Sequence, residues 1–170
     1  MDTLKFKPIY LGQCIIRYQV PLDIFTSINQ IYEQNYNSLA PANGQLVGKI
    51  EKEHSLFYHG KDQSKMKNHN FLPRNVTDYF MQVFKHYLTF NNIKDYDTHL
   101  NSIWVNEMKQ HEYNPAHVHR GMLYTGLSSV MILKLPSTYG KEYSAEHIQQ
   151  NGRLQILGAS NGQFAKIDYQ

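Results

Sequence analysis

The spacing of apolar residues changes along this chain, and the change limits the folds that it can adopt. Two early segments carry apolar side chains at helical spacing: Leu22 to Tyr36, and a stretch that begins at Pro73 and includes Val76, Val83 and Tyr87. After Asn91 the apolar residues follow the period of two that is typical of strands. Strands are predicted over 103–106, 127–135, 154–157 and 164–167. Helices followed by consecutive antiparallel strands predict an α+β fold whose second half is a sandwich or a barrel.

Shorter elements complete the expected organisation. The stretch from Ile9 to Val20, broken at Gly12, predicts a strand or a strand pair, and Leu46 to Tyr58 alternates weakly enough to be extended. Asn161-Gly162 between two apolar runs predicts a hairpin. A length of 170 residues favours one domain, 1–170, with a helical and strand half at 1–95 and a β-barrel half at 96–170.

Composition narrows the classes of partner and compartment. The formal net charge is +3 and the basic residues are scattered, so a nucleic-acid partner is not expected. A single cysteine, Cys14, excludes an internal disulfide and favours a reducing compartment, the cytoplasm. No apolar run approaches the ~20 residues of a membrane span, so no membrane partner is expected.

The segment His117-Val118-His119 is the strongest indication of chemistry. Side chains two residues apart on an extended chain point to the same face, so the two imidazoles can converge on one metal ion. On a helix the same spacing would separate them by ~200°. Pro115, two residues upstream, favours an extended or turn conformation here. The spacing therefore predicts a metal pair carried by a strand.

The residues around this pair form a longer pattern. A Trp-x-Asn element precedes Asn-Pro-x-His-x-His, and Leu-Ser-x-Val followed by an apolar stretch and a proline comes after it. The matching positions are Trp104, Asn106, Asn114, Pro115, His117, His119, Leu127, Ser128, Val130 and Pro136. This pattern resembles the 2-oxoglutarate/Fe(II)-dependent oxygenases of phages, which are similar to prolyl 4-hydroxylases. The resemblance extends over nearly all of the chain, and its specific part is the stretch from Trp104 to Pro136.

The resemblance implies a double-stranded β-helix, or jelly roll, with two packing helices from the N-terminal half. It also implies Fe(II) held by two histidines and a carboxylate or a variant of that set, with open positions for 2-oxoglutarate and O₂. The family's usual His-x-Asp or His-x-Glu is His-x-His here. Either His119 takes the place of the carboxylate, or only one of His117 and His119 binds and another group completes the shell. Such a protein would work in the cytoplasm of a phage-infected bacterium.

Two further residues are candidate contacts for 2-oxoglutarate. Asn106 shares a strand face with Trp104, and a buried polar group there would need a partner. Lys134, on the predicted 127–135 strand, is placed to pair with a carboxylate if it faces into the barrel. The competing interpretations are a core tryptophan at Trp104 and a strand-end lysine that extends to water at Lys134.

The resemblance also implies a distal histidine and a basic residue that grips the far carboxylate of 2-oxoglutarate. Neither follows in the expected context before Gln170, so we expect a C-terminally truncated fragment with an incomplete barrel. Two alternatives stay open. One is a cupin-like metal-binding protein of other activity, although cupins place a glutamate near the position that Leu123 occupies. The other is a non-catalytic phage structural or interaction module.

Overall fold

The computed structural model of the chain describes residues 4–10, 14–58, 71–117, 126–140, 151–160 and 163–169. The chain separates into two compact units. One unit combines 1–19 with 129–170, and the other contains 20–128. In chain order the elements are β1 (Phe6–Tyr10), β2 (Cys14–Tyr18), α1 (Leu22–Asn35), β3 (Ala40–Pro41), β4 (Lys52–Tyr58), α2 (Arg74–Phe90), β5 (Ser102–Glu107), β6 (Leu154–Ser160) and β7 (Gln163–Tyr169).

The 20–128 unit is built from two helices and an antiparallel sheet with strand order β3-β4-β5. Helix α1 buries Ile24 and Ile28, which lie one turn apart, as the helical spacing predicted. Helix α2 begins directly after Pro73, where a missing backbone N–H costs nothing. Leu56 of β4 is 0% exposed and lies at the centre of the core. The core of this unit also contains Leu39, Ile50, Leu72, Val76, Tyr79, Val83 and Leu88.

The other unit contains two antiparallel hairpins. β1 pairs with β2 from Phe6 opposite Tyr18 to Tyr10 opposite Cys14. β6 pairs with β7 from Leu154 opposite Tyr169 to Ser160 opposite Gln163. The strand pair expected around Gly12 and the hairpin expected around Asn161-Gly162 are therefore confirmed by their paired strands. The turn residues 11–13 and 161–162 lie outside the described residues.

One predicted strand is wrong. Residues 126–140 contain neither a strand nor a helix, although 127–135 was expected to be a strand. Half-buried Met131 and Leu133 alternate with exposed neighbours, so the period of two is present. A strand also needs a hydrogen-bonded partner, and the structure pairs no described segment with this one. Amphipathic alternation alone does not supply that partner.

The coarse prediction of an α+β chain is confirmed, because two helices accompany small antiparallel sheets. In the part of the chain that the structure describes, the sheets have two, three and two strands, and none closes into a barrel. Across the same residues, no helix is long and apolar enough to cross a membrane.

Candidate functional site

The strand that carries Trp104 and Asn106 presents them on an exposed face. Trp104 is 37% exposed, so it does not lie in the core, and the interpretation of this residue as a core tryptophan is wrong. Asn106 is also exposed, and it lies opposite Glu53 in the β4–β5 register. The Glu53 side chain is buried, and that burial raises the pKa of its carboxyl group. Because the Asn106 side chain is exposed, its amide does not need a hydrogen-bond partner from the protein, and it is accessible to a ligand.

The chain that leaves β5 is held to the residues before β4. The Lys49 N–H donates to the Tyr113 carbonyl at 2.9 Å, and the Tyr113 N–H donates to the Lys49 carbonyl at 3.0 Å. Gly48 lies against the backbone of Tyr113, one of the two residues that form these hydrogen bonds. A Cβ there would overlap the Tyr113 carbonyl oxygen and would lie 2.9 Å from both the Asn114 Cα and the Pro115 Cδ. Because only a residue without a side chain fits, Gly48 allows the Asn-Pro segment to approach the sheet.

A carboxylate holds the intervening turn. Glu112 Oε2 accepts the Lys109 N–H at 2.7 Å, and Oε1 accepts the Glu51 N–H at 3.0 Å. These backbone hydrogen bonds lower the pKa of the Glu112 carboxyl group. His111 in the same turn has a φ of 67°, a left-handed conformation that is uncommon outside glycine. Glu112 is therefore used to join the turn to the chain at Glu51.

His117 follows this anchored segment, and its side chain is exposed. Its Nδ1 lies 2.7 Å from the Pro115 carbonyl oxygen. A carbonyl oxygen only accepts hydrogen bonds, so Nδ1 carries the proton and the lone pair of the neutral ring is on Nε2. Histidines that bind metals through Nε2 commonly donate Nδ1–H to a backbone carbonyl in this way. The hydrogen bond therefore selects the tautomer in which Nε2 is the ring nitrogen that can accept a proton or a metal ion.

The other predicted site residues have different outcomes. His119 lies outside the described residues. Lys134 is exposed and lies in the 126–140 segment, so its expected position on a barrel strand is not observed. Among the described residues no group of three or more His, Cys, Asp or Glu side chains is arranged to hold a metal ion. His117 thus fits one position of a metal shell, and the described residues do not complete that shell.

A second polar cluster, which the sequence did not reveal, joins α1 to β4 and β5. Tyr32 Oη donates to Glu107 Oε1 at 2.8 Å, and Tyr36 Oη donates to Glu107 Oε2 at 3.4 Å. Because the Tyr32 proton goes to Glu107, His54 Nδ1, 2.9 Å away, donates to the Tyr32 oxygen. Lys52 Nζ donates to Tyr36 Oη and lies 4.8 Å from the centroid of that ring. We call these five residues the tyrosine–glutamate cluster.

The tyrosine–glutamate cluster fixes the end of β5, where the chain leaves the sheet towards His117. The one sequence indication of it is that Tyr32 and Tyr36 lie four residues apart and so share a helix face. The hydrogen bond between His54 and Tyr32 gives the His54 ring a partner within the cluster. Both carboxylate oxygens of Glu107 accept hydrogen bonds from tyrosine hydroxyls, and both carboxylate oxygens of Glu112 accept hydrogen bonds from backbone N–H groups. Neither carboxylate is therefore assigned as the third metal ligand.

Tyr32, a member of this cluster, makes the free energy of unfolding depend on pH above about 10. Burial, together with the hydrogen bond to negatively charged Glu107, raises the pKa of Tyr32 well above its usual value of about 10. The folded chain therefore keeps this proton after the unfolded chain has lost it, and the free energy of unfolding falls as pH rises beyond about 10. Tyr32→Phe should reduce that fall by up to about 1.4 kcal/mol per pH unit.

Urea unfolding between pH 8 and pH 11 measures this effect. Tyr113→Phe is the matched control, because the Tyr113 ring is exposed. A Tyr32→Phe protein whose stability declines as steeply as that of the unaltered chain would show that Tyr32 does not hold its proton in the folded state.

Comparisons with models of protein families, with curated proteins and with solved structures gave no match to this chain.

Proposed function

We propose that the chain is a Fe(II)/2-oxoglutarate-dependent dioxygenase, a hydroxylase built on a double-stranded β-helix, with His117 and His119 as metal ligands. The observation that carries the proposal is the hydrogen bond from His117 Nδ1 to the Pro115 carbonyl, since it fixes the tautomer in which Nε2 is the ring nitrogen able to bind a metal. The period-two spacing of His117 and His119 also supports this function, as does the resemblance of the surrounding pattern to phage oxygenases.

The anchored segment before His117 supports the same proposal. A metal site needs ligands held within a fraction of an ångström, and sites on rigid elements achieve this best. The Lys49–Tyr113 pair, the Gly48 approach and the Glu112 carboxylate together fix the four residues that precede Ala116 and His117.

Within this proposal the roles of the chain are to bind and to position. The metal and 2-oxoglutarate would supply the oxidising chemistry. His117 and His119 would hold the metal. Asn106, exposed on β5, stays a predicted contact for the co-substrate. The tyrosine–glutamate cluster would keep β5 in place below the site.

The direct test is release of succinate from 2-oxoglutarate in the presence of Fe(II) and O₂. We expect turnover by the full-length protein, and a loss of at least about hundredfold in its His117→Ala and His119→Ala variants, because each removes a ligand. His99→Ala is the matched control, since His99 is exposed and lies 3.3 Å from the Asp97 carboxylate, not in the anchored segment.

Two results would contradict the proposal. Metal binding that depends on the two histidines without any conversion of 2-oxoglutarate would favour the cupin-like alternative. Absence of both metal binding and turnover would favour a non-catalytic structural or interaction module.

A further inference from the structure

Side chains from one helix and two strands converge in the tyrosine–glutamate cluster. Tyr32 lies in the last turn of α1, and Tyr36 follows the helix directly in a helical conformation, so the two tyrosines share one face. The β4–β5 register places Lys52 opposite Glu107, and His54 lies two residues further along β4, so these three side chains share one face of the sheet. Each of the five residues is half-buried, so solvent reaches part of the cluster.

Four of these side chains end in atoms that bind metal ions, and the atoms lie close together. Tyr32 Oη is 2.8 Å from Glu107 Oε1 and 2.9 Å from His54 Nδ1. Tyr36 Oη is 3.4 Å from Glu107 Oε2. Bonds from oxygen and nitrogen ligands to a metal ion are about 2.0–2.2 Å long, so neighbouring ligands in an octahedral shell lie about 2.8–3.1 Å apart. A metal ion that replaces the hydroxyl protons therefore needs only small movements of these side chains.

The donor atoms favour a hard, highly charged metal ion. Oxygen ligands suit hard ions, and a tyrosine phenolate is an established ligand of iron. Binding must displace two phenol protons, and burial raises the pKa of Tyr32 above its usual value of about 10. A trivalent ion attracts a phenolate more strongly than a divalent ion does. Lys52 Nζ, which donates to Tyr36 Oη, favours the phenolate form of Tyr36.

We propose that the tyrosine–glutamate cluster is a binding site for a trivalent metal ion, with ferric iron as the expected occupant. Its ligands are Tyr32, Tyr36, His54 and Glu107. On binding, each tyrosine hydroxyl releases its proton to water, and the His54 proton moves from Nδ1 to Nε2 so that Nδ1 can bind. The two phenolates and the carboxylate then carry three negative charges, which match the three positive charges of the ion. The site shares no residue with the His117 segment and does not depend on the proposed oxygenase activity.

Visible absorption tests this site, because a phenolate bound to ferric iron gives a charge-transfer band. Ferric nitrilotriacetate is titrated into the unaltered protein, Tyr36→Phe and Tyr96→Phe. We expect one ferric ion per chain and a visible band in the unaltered protein, and binding weaker by at least about hundredfold in Tyr36→Phe, which loses a ligand. Tyr96→Phe is the matched control and should behave like the unaltered protein, because Tyr96 is exposed and lies outside the cluster. His117→Ala should keep the band, so this test is independent of the oxygenase test.

Glu107→Gln is the second variant, since it keeps the shape of the side chain and removes its charge. It should weaken ferric binding by at least about tenfold. Resonance Raman spectra of the unaltered protein, excited in the visible band, should show phenolate vibrations whether or not the variants fold. Absence of the band or of the phenolate vibrations would overturn the proposal. So would full-strength ferric binding by a folded Tyr36→Phe protein, loss of the band in His117→Ala, or displacement of the ferric ion by an equal concentration of Zn²⁺.

Discussion

Gly48→Ala is expected to destabilise the 20–128 unit by about 3 kcal/mol, at the upper end of the cost of overpacking. The added methyl group would overlap the Tyr113 carbonyl oxygen, which is backbone and cannot rotate away like the end of a flexible side chain. Relief requires the segment from Tyr113 to Pro115 to move, and this would break the two hydrogen bonds between Lys49 and Tyr113. Urea unfolding of the purified variant measures the change.

Gly44→Ala is the matched control for this substitution. Gly44 lies four residues earlier, and a Cβ there would meet no atom within 4 Å. Both substitutions remove the same backbone freedom from the unfolded chain, so their difference isolates the overlap at Tyr113. Equal stability of the two variants would mean that the chain at 113–115 does not pack on Gly48. Because His117 follows the displaced segment, Gly48→Ala should also weaken metal binding, whereas Gly44→Ala should not.

The sequence predicted the elements better than it predicted their assembly. The helices were found because their stripes, such as Ile24 with Ile28 and Val76 with Val83, follow a local rule of spacing. Strand β5 and the β6–β7 hairpin were found for the same reason. The 127–135 prediction was wrong because alternation describes one strand, whereas a sheet needs a second strand that can lie far away in the sequence.

The candidate site could be predicted only in part, because some of its contacts also join residues that are distant in the sequence. His117 was singled out by its spacing to His119 and by Pro115, all of which are local features. The contacts that hold His117 in place are not local. Glu112 reaches Glu51, and the Tyr113 carbonyl covers Gly48. A glycine in a weakly alternating stretch gives no indication, without the fold, of which backbone segment approaches it.

The contacts of the tyrosine–glutamate cluster are also formed between residues far apart in the sequence. Glu107 lies only ten residues before His117 in the sequence. Its two carboxylate oxygens accept hydrogen bonds from the hydroxyl groups of Tyr32 and Tyr36, which lie more than seventy residues earlier in the chain. Sequence proximity to His117 was therefore a poor guide to the role of this carboxylate, since a strand end faces whichever helix packs against it.

The largest effect that we expect is on metal affinity in His117→Ala. Loss of an outer-shell partner of a metal ligand typically weakens binding by 10–100-fold, so removal of the ligand itself should weaken it by at least about hundredfold. The His117 side chain is exposed, so His117→Ala should leave the fold intact. A loss of affinity would then report on the metal site and not on unfolding.

Anaerobic calorimetric titration of Fe(II) into the unaltered protein, His117→Ala and His99→Ala tests the central claim most directly. We predict one Fe(II) per chain for the unaltered protein and for His99→Ala, and at least about hundredfold weaker binding for a folded His117→Ala protein. Fe(II) binding of equal strength in all three proteins, or in none of them, would contradict the assignment of His117 as a metal ligand.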